Sequence, residues 1–134
     1  MVVATTFISY GGFLGACGWF GAHSHGYASA VMHSLYAGVG SGAVMVLYGL
    51  NAFGEPKKGD TNYKKWMIAV HLGLLFNALF TAVFFAQFLR ARADPAKADR
   101  SFLFLVMAAG SALAAWTGVK KKRTNISARG IAYQ

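Results

Sequence analysis

Charged residues, cysteine and proline are all scarce in this chain. Of its 134 residues only 13% are charged, roughly half the share that is usual in soluble domains. The single cysteine, Cys17, excludes an intramolecular disulfide framework and any paired-cysteine motif for zinc, redox chemistry or an iron–sulfur cluster. A chain this short also excludes a large catalytic scaffold with a separate cofactor domain.

The few charges are unevenly placed and leave three long uncharged windows, at residues 1–54, 66–89 and 101–119. A helix needs roughly 20 apolar residues to cross the hydrocarbon core of a bilayer. The first window is therefore long enough for two crossings, and each of the others for one. This pattern predicts a single all-α polytopic membrane domain.

We predict four transmembrane helices, near residues 4–22, 30–50, 66–89 and 101–119. The polar run 23–26 separates the first two, and the two prolines, Pro56 and Pro95, fall in the other connections. The transmembrane domain then covers residues 1–119, and residues 120–134 form a basic tail. The sequence leaves open whether one of the four helices lies in the membrane interface.

The distribution of lysine and arginine predicts that both termini lie on the inner side of the membrane, which means the cytoplasm, the matrix or the stroma. With four crossings, the N-terminus, the 51–65 loop and the tail share one side, and they hold nine of these residues. The other side holds four, all in the 90–100 segment. Cytoplasmic and equivalent sides of membranes are enriched in lysine and arginine. The N-terminus lacks the basic start of a signal peptide, so we expect a retained first span.

A net charge of +9 raises the question of nucleic-acid binding, which the distribution of the charges argues against. The basic residues flank the spans and form no stripe with interleaved stacking aromatics. Basic residues next to a span bind anionic headgroups. We therefore expect the cluster Lys120, Lys121, Lys122 and Arg123 to dock on lipid headgroups or on a partner.

Small residues predict where the helices pack. Pairs four residues apart occur in three helices: Gly11 with Gly15, Gly38 with Gly42, and Ala108 with Ala112. In lipid, close backbone approach at such pairs supplies much of the association between helices. Tight packing of the first, second and fourth helices is the main interpretation, and a rocking helix pair, as in a carrier, is the alternative. The polar pair Asn77 and Thr81 is expected to make interhelical hydrogen bonds.

The histidines invite a cofactor hypothesis. His71 and His33 are candidate axial ligands for a tetrapyrrole, but the predicted topology puts them near opposite faces of the bilayer, too far apart to share one haem. A metal site from His23, His25 and His33 is conceivable, although the spacing is a weak signal without carboxylates nearby. The more ordinary interpretation is that these are polar residues at a headgroup boundary, with no metal and no cofactor bound.

No predicted span contains Asp, Glu, Lys or Arg. Pumps, ion-coupled transporters and voltage sensors need ionisable groups at depth, so these classes are not expected. No nucleophile–base pair, paired carboxylate or phosphate-binding loop occurs either, and no catalytic residue is assigned. We do not expect an enzyme.

The glycine pattern resembles that of the transmembrane protein 14 family of small four-helix membrane proteins, which includes plastid fatty-acid exporters. The similarity lies in Gly15-x-x-Gly18-Trp19, Ser34-Leu35-x-Ala37-Gly38-x-x-x-Gly42, Phe88-Leu89-Arg90 and Ala108-Ala109-Gly110-Ser111. The resemblance implies passage of lipophilic molecules, such as fatty acids or porphyrin precursors, across an organelle membrane.

Three functions follow as hypotheses. The first is a non-catalytic accessory subunit of a large energy-converting membrane complex. The respiratory chain or ATP synthase is the first choice of host complex, and a photosynthetic complex is the second. Its partners would be other membrane subunits and anionic lipids such as cardiolipin, in the mitochondrial inner membrane or alternatively the thylakoid. The second is a carrier for lipophilic molecules, and the third is a pigment or redox protein using His71 or His33. A polar-lined cavity between the helices would favour the carrier.

Overall fold

The computed structural model describes the backbone of residues 2–131, and all side chains in that range except those at 30, 33, 118 and 120–131. The four helices are α1 Val2–Ser24, α2 Ser29–Asn51, α3 Tyr63–Ala93 and α4 Ala98–Ile131. A single 3₁₀ turn, Pro95–Lys97, precedes α4. The described residues contain no strand, so the predicted all-α fold is confirmed.

Helices α3 and α4 are longer than their apolar segments. Helix α3 has 31 residues and α4 has 34, because each continues into charged residues that the sequence analysis placed in loops or in the tail. Lysine, arginine and alanine are good helix formers, so a helix need not end where its apolar run ends. Helix α4 accordingly passes the predicted boundary at residue 119 and continues to Ile131, the last residue that the structure describes.

The helices form a ring in which each contacts its neighbours in chain order, and α4 closes the ring against α1. Contacts are most extensive inside the two hairpins, α1 with α2 and α3 with α4, and sparser between them. The turn 25–28 and the connection 94–97 lie at one end of the bundle, which we call the turn end. The connection 52–62 lies at the opposite end, where the Trp66 indole N–H donates to the Ala52 carbonyl at 3.0 Å.

Backbone meets backbone between α1 and α2 because glycines face one another. A Cβ built on Gly42 would lie 2.5 Å from the Gly11 carbonyl oxygen, and one on Gly38 would lie 2.7 Å from the Gly18 Cα. Both distances are far shorter than ordinary van der Waals contact. No residue larger than glycine fits these positions unless the helices move apart.

The other residues predicted to pack are divided. Ala108 is buried and belongs to the core cluster. Gly15 presents its side-chain direction to open space, with nothing within 4 Å of a built Cβ, and Ala112 is exposed. The face of α1 turned toward α2 is therefore that of Gly11 and Gly18, seven residues apart, and Gly15 takes part through its backbone nitrogen, 3.1 Å from a Cβ built on Gly42.

The core lies where α1 faces the other three helices. The Phe7 side chain is fully buried and lies over Gly73 of α3, where a Cβ would come within 2.3 Å of the ring. Leu14 and Met45 are also fully buried. Phe84 of α3 is buried as well and continues a row of tilted rings from Phe80 at a centroid distance of 6.1 Å.

A buried polar cluster joins α1, α3 and α4 in the middle of the bundle. The Ser111 hydroxyl donates to the Met107 carbonyl at 2.7 Å and accepts from the Tyr10 hydroxyl. The Asn77 amide, oriented to satisfy both of its groups, donates to the Ser111 carbonyl at 2.8 Å and accepts from the Ala115 N–H at 3.1 Å. Asn77 and Ser111 are fully buried. The cluster therefore supplies directed contacts in a region that is otherwise apolar.

Substituting Asn77 with alanine should lower the free energy of unfolding by about 1 kcal/mol, the typical strength of an interhelical hydrogen bond in a membrane protein. The matched control is Thr81→Ala, because the Thr81 hydroxyl donates to the Asn77 carbonyl of its own helix. Unfolding in a denaturing detergent, followed by circular dichroism, measures both. Equal losses in the two variants would contradict an interhelical role for Asn77.

The outer surface of the bundle is apolar. Three helical segments, Val2–Ser24, Tyr63–Ala93 and Pro95–Thr117, are long and apolar enough to cross a membrane. At most 33% of each apolar window is buried inside the bundle. Extended exposed apolar surface of this kind is typical of proteins whose surroundings are lipid.

Candidate functional site

A cavity of about 770 Å³ opens at the turn end of the bundle. All four helices and the 3₁₀ turn contribute to it. Its deepest residue on α1 is Ala16 and its outermost is Ser24, so the cavity extends about 12 Å along the helix axis, at 1.5 Å per residue. Its size lies within the range of small-molecule sites in proteins.

The inner part of the cavity is mainly apolar, and its polar group is the Ser34 hydroxyl, which donates to the Val31 carbonyl at 2.6 Å. Its walls are formed by side chains from α1, α2 and α4, among them Cys17, Phe20, Val31, Leu103, Phe104 and Val106. Space for these side chains depends on Gly21, where a Cβ would lie 2.8 Å from a Leu103 methyl carbon. The inner part therefore suits a hydrocarbon chain or another apolar group.

The outer part, which we call the mouth, is polar and predominantly cationic. Its charged and polar side chains are Ser24, His25, Gln87, Arg90, Lys97, Asp99 and Arg100. Of the carboxylates in the described part of the chain, Asp99 is the one that lines the cavity. Excess positive charge next to an apolar interior matches an amphiphile with an anionic headgroup.

The turn between α1 and α2 places His25 at the mouth. Gly26 and Tyr27 adopt left-handed backbone angles, with φ of 60° and 55°, and the Tyr27 N–H donates to the Ala22 carbonyl at 2.9 Å. This closes α1 and turns the chain back into α2. Left-handed geometry at helix ends is common for glycine and unusual for tyrosine.

His25 contacts two charged residues of α4. Its Nε2 lies 3.3 Å from the Asp99 carboxylate and 3.3 Å from the Arg100 Nε. Its Nδ1 lies 3.2 Å from the Gly21 carbonyl oxygen and 3.2 Å from the Ser24 hydroxyl. These contacts join the α1–α2 hairpin to the start of α4.

Lys97 is held at the mouth by an ion pair. Its ammonium lies 2.8 Å from the Asp94 carboxylate, which also accepts from the Ala96 N–H at 3.1 Å. The hydrogen bond from Lys97 lowers the pKa of Asp94, and the bond from Ala96 adds to this effect. This ion pair is exposed. Among the described residues, the other two cationic groups at the mouth, Arg90 and Arg100, form no ion pair with a carboxylate.

His71, one of the two candidate tetrapyrrole ligands, does not line this cavity. His71 is exposed on α3, with its Nδ1 2.7 Å from the Met67 carbonyl oxygen of the preceding turn. The side chains of His33 and of Lys120, Lys121, Lys122 and Arg123 lie outside the described residues. Among the described residues no group of three potential metal ligands comes together.

Sequence reasoning did not find the cavity. The signal that could have found it is the 90–100 segment, whose basic residues opposed the predicted orientation. Arg90, Lys97 and Arg100 of that segment all line the cavity. These three basic residues lie on the side where the rule for lysine and arginine expects few, and we interpret them as part of a binding site.

Searches against models of known protein families, against curated proteins and against solved structures found no match to this chain.

Proposed function

We propose that this protein is an integral membrane carrier or binding protein for lipophilic molecules that bear an anionic headgroup. The observation that carries the proposal is the cavity at the turn end, which combines an apolar inner part with a cationic mouth. In such a site the hydrocarbon part of the ligand lies among Cys17, Leu103 and Val106, and the headgroup lies beside Arg90 and Arg100. The resemblance to the transmembrane protein 14 family, which includes plastid fatty-acid exporters, points in the same direction.

Four crossings with both termini inside remain our proposal for the topology. Helix α2 has the same 23-residue length as α1 and carries no Asp, Glu, Lys or Arg. It packs on α1 more extensively than on any other helix, which supports a crossing beside α1. Of the four basic residues that weigh against this orientation, Arg90, Lys97 and Arg100 line the cavity. If these three are assigned to the site, the remaining lysines and arginines favour the orientation more clearly.

Binding of an amphiphilic anion tests the proposal directly. Tritiated hexadecanesulfonate is a suitable probe because its headgroup stays ionised, and hexadecanol supplies the same chain without charge. We expect the full-length protein in a neutral maltoside detergent to bind the sulfonate and to discriminate against the alcohol. Replacing both Arg90 and Arg100 with glutamine should weaken sulfonate binding about tenfold or more, since a hydrogen bond to a charged group contributes about 1.5–3 kcal/mol.

Arg92→Gln is the matched control, because Arg92 is exposed on the same helix as Arg90 and does not line the cavity. Equal loss in this variant, or equal affinity for sulfonate and alcohol, would contradict the proposed site. Carriage is tested separately in proteoliposomes, by the rate at which the sulfonate crosses the bilayer. Co-purification with a large respiratory or photosynthetic complex, together with no sulfonate binding, would instead support the accessory-subunit hypothesis.

A further inference from the structure

His25 contacts two groups of opposite charge through a single ring nitrogen. The Asp99 carboxylate and the Arg100 Nε both lie 3.3 Å from its Nε2. A carboxylate only accepts hydrogen bonds and a guanidinium only donates them. Nε2 can therefore satisfy one of these neighbours at a time, and its protonation decides which.

A neutral imidazole carries one N–H group. With the proton on Nδ1, the ring donates to the Gly21 carbonyl oxygen, 3.2 Å from Nδ1, and can accept from the Arg100 Nε–H, 3.3 Å from Nε2. With the proton on Nε2, the ring would donate to Asp99 but would set two N–H donors, its own and that of Arg100, against each other. We therefore assign the proton of the neutral ring to Nδ1. Nε2 then presents its lone pair and accepts from the Arg100 Nε–H. In this state the imidazole holds Arg100, and Asp99 receives nothing from the ring.

A protonated imidazole carries N–H groups on both nitrogens. Nδ1 keeps its bond to Gly21, whereas Nε2 now donates to Asp99 and can no longer accept from Arg100. The positive ring also repels the Arg100 guanidinium. Protonation therefore exchanges one partner for the other, with little movement of the ring.

The remaining charges near His25 come from the other elements that line the cavity. Helix α3 contributes Arg90, and the 3₁₀ turn contributes Lys97, which is paired with Asp94. Helix α2 carries no Asp, Glu, Lys or Arg, and the side chain of its histidine, His33, lies outside the described residues. On α1 itself the His23 ring stacks on Trp19 at a centroid distance of 5.0 Å. None of these groups offers His25 a second carboxylate, so the exchange is between Asp99 and Arg100.

We propose that His25 couples protonation to anion binding. The neutral ring accepts a hydrogen bond from Arg100, whereas the protonated ring donates to Asp99 and leaves Arg100 free to bind the headgroup in the cavity. This inference rests on the proposed function, since it concerns the same cavity. Protonation adds a positive charge at the mouth, occupies its carboxylate and frees a guanidinium. All three effects favour an anion.

Affinity for an ionised amphiphile should therefore rise as the pH falls through the range in which histidines change charge, between pH 5 and 8. We expect hexadecanesulfonate to bind the full-length protein about five- to tenfold more tightly at about pH 5.5 than at about pH 8, the lower part of the usual range for coupled sites. The sulfonate stays ionised at both, so any change in affinity belongs to the protein.

The His25→Gln variant should bind the sulfonate with an affinity that does not change with pH. His23→Gln is the matched control, because it removes a histidine of the same turn that neither contacts Asp99 nor lines the cavity. We expect that control to keep the full pH dependence. Persistence of the dependence in His25→Gln, or its loss in His23→Gln, would overturn the assignment to His25.

The binding data separate the two proposals. Wild-type protein that binds no sulfonate at either pH contradicts the proposed function and the coupling together. Binding that is equally tight at both pH values contradicts the coupling alone. Nitrogen NMR of the wild-type imidazole gives a test independent of any variant: above the transition we expect the Nδ1–H tautomer, and a neutral ring protonated on Nε2 would overturn the proposal.

Discussion

Replacing Gly38 with leucine is expected to separate α1 from α2 and to lower the free energy of unfolding by about 3 kcal/mol or more. Overpacking a well-packed core usually costs about 1–3 kcal/mol because side chains shift to make room. Here the obstacle is backbone, since even a Cβ would lie 2.7 Å from the Gly18 Cα and 3.0 Å from the Leu14 carbonyl oxygen. No rotamer relieves such a contact, and the helices themselves must move.

The control for this variant lies two residues away on the same helix. A Cβ built on Gly40 meets nothing within 4 Å, so Gly40→Leu makes the same chemical change on an open face. Unfolding in a denaturing detergent, followed by circular dichroism, compares the two, and gel filtration reports whether each remains folded. Similar stability of Gly38→Leu and Gly40→Leu would contradict the close contact between α1 and α2.

The second large effect is expected at Phe7, where substitution with alanine should lower the free energy of unfolding by about 3–5 kcal/mol. The ring is fully buried, and removing a buried phenylalanine side chain leaves a cavity that the surrounding helices fill only in part. Phe85→Ala is the control, because Phe85 is 50% exposed. The decrease in the free energy of unfolding caused by Phe85→Ala should be well under half of that caused by Phe7→Ala.

A double substitution tests whether Phe7 and Gly73 fit each other. Gly73→Leu alone should destabilise the protein, because a Cβ there would lie 2.3 Å from the Phe7 ring. Combined with Phe7→Ala, the leucine enters the space that the ring has left. We expect the double variant to lose less than the sum of the two single losses, as is usual for residues in contact. Strict additivity would show that the two positions do not share this space.

The number and type of the helices were predictable from sequence because uncharged windows of sufficient length are a strong signal. Helix ends were less predictable. The apolar run of α3 begins at Trp66, but the helix begins at Tyr63, since charge limits the apolar segment and not the helical conformation. The left-handed backbone of Tyr27 has no signal in the sequence at all.

The packing of single residues depended on information that one helix does not contain. Gly11 and Gly15 belong to the same small-residue pair, yet the contact with α2 lies on the face of Gly11 and Gly18. Which face meets the neighbour is decided by the angle between two helices. The cavity was out of reach for a similar reason, because His25 and Arg100 are 75 residues apart in the chain and come together only when the ring of helices closes.

The glycines that join α1 to α2 also bear on how the chain enters a bilayer. Glycine at the contact positions brings no apolar side chain, so the close approach of the two backbones is gained at the expense of the hydrophobicity of each segment. A segment of this composition is a weak insertion signal on its own. When α2 packs beside α1, however, the glycine-lined face of α2 is covered by the backbone of α1 and not by lipid tails. Since only the turn 25–28 separates the two helices, we expect α1 and α2 to enter the membrane together as one hairpin, the first helix recruiting the second.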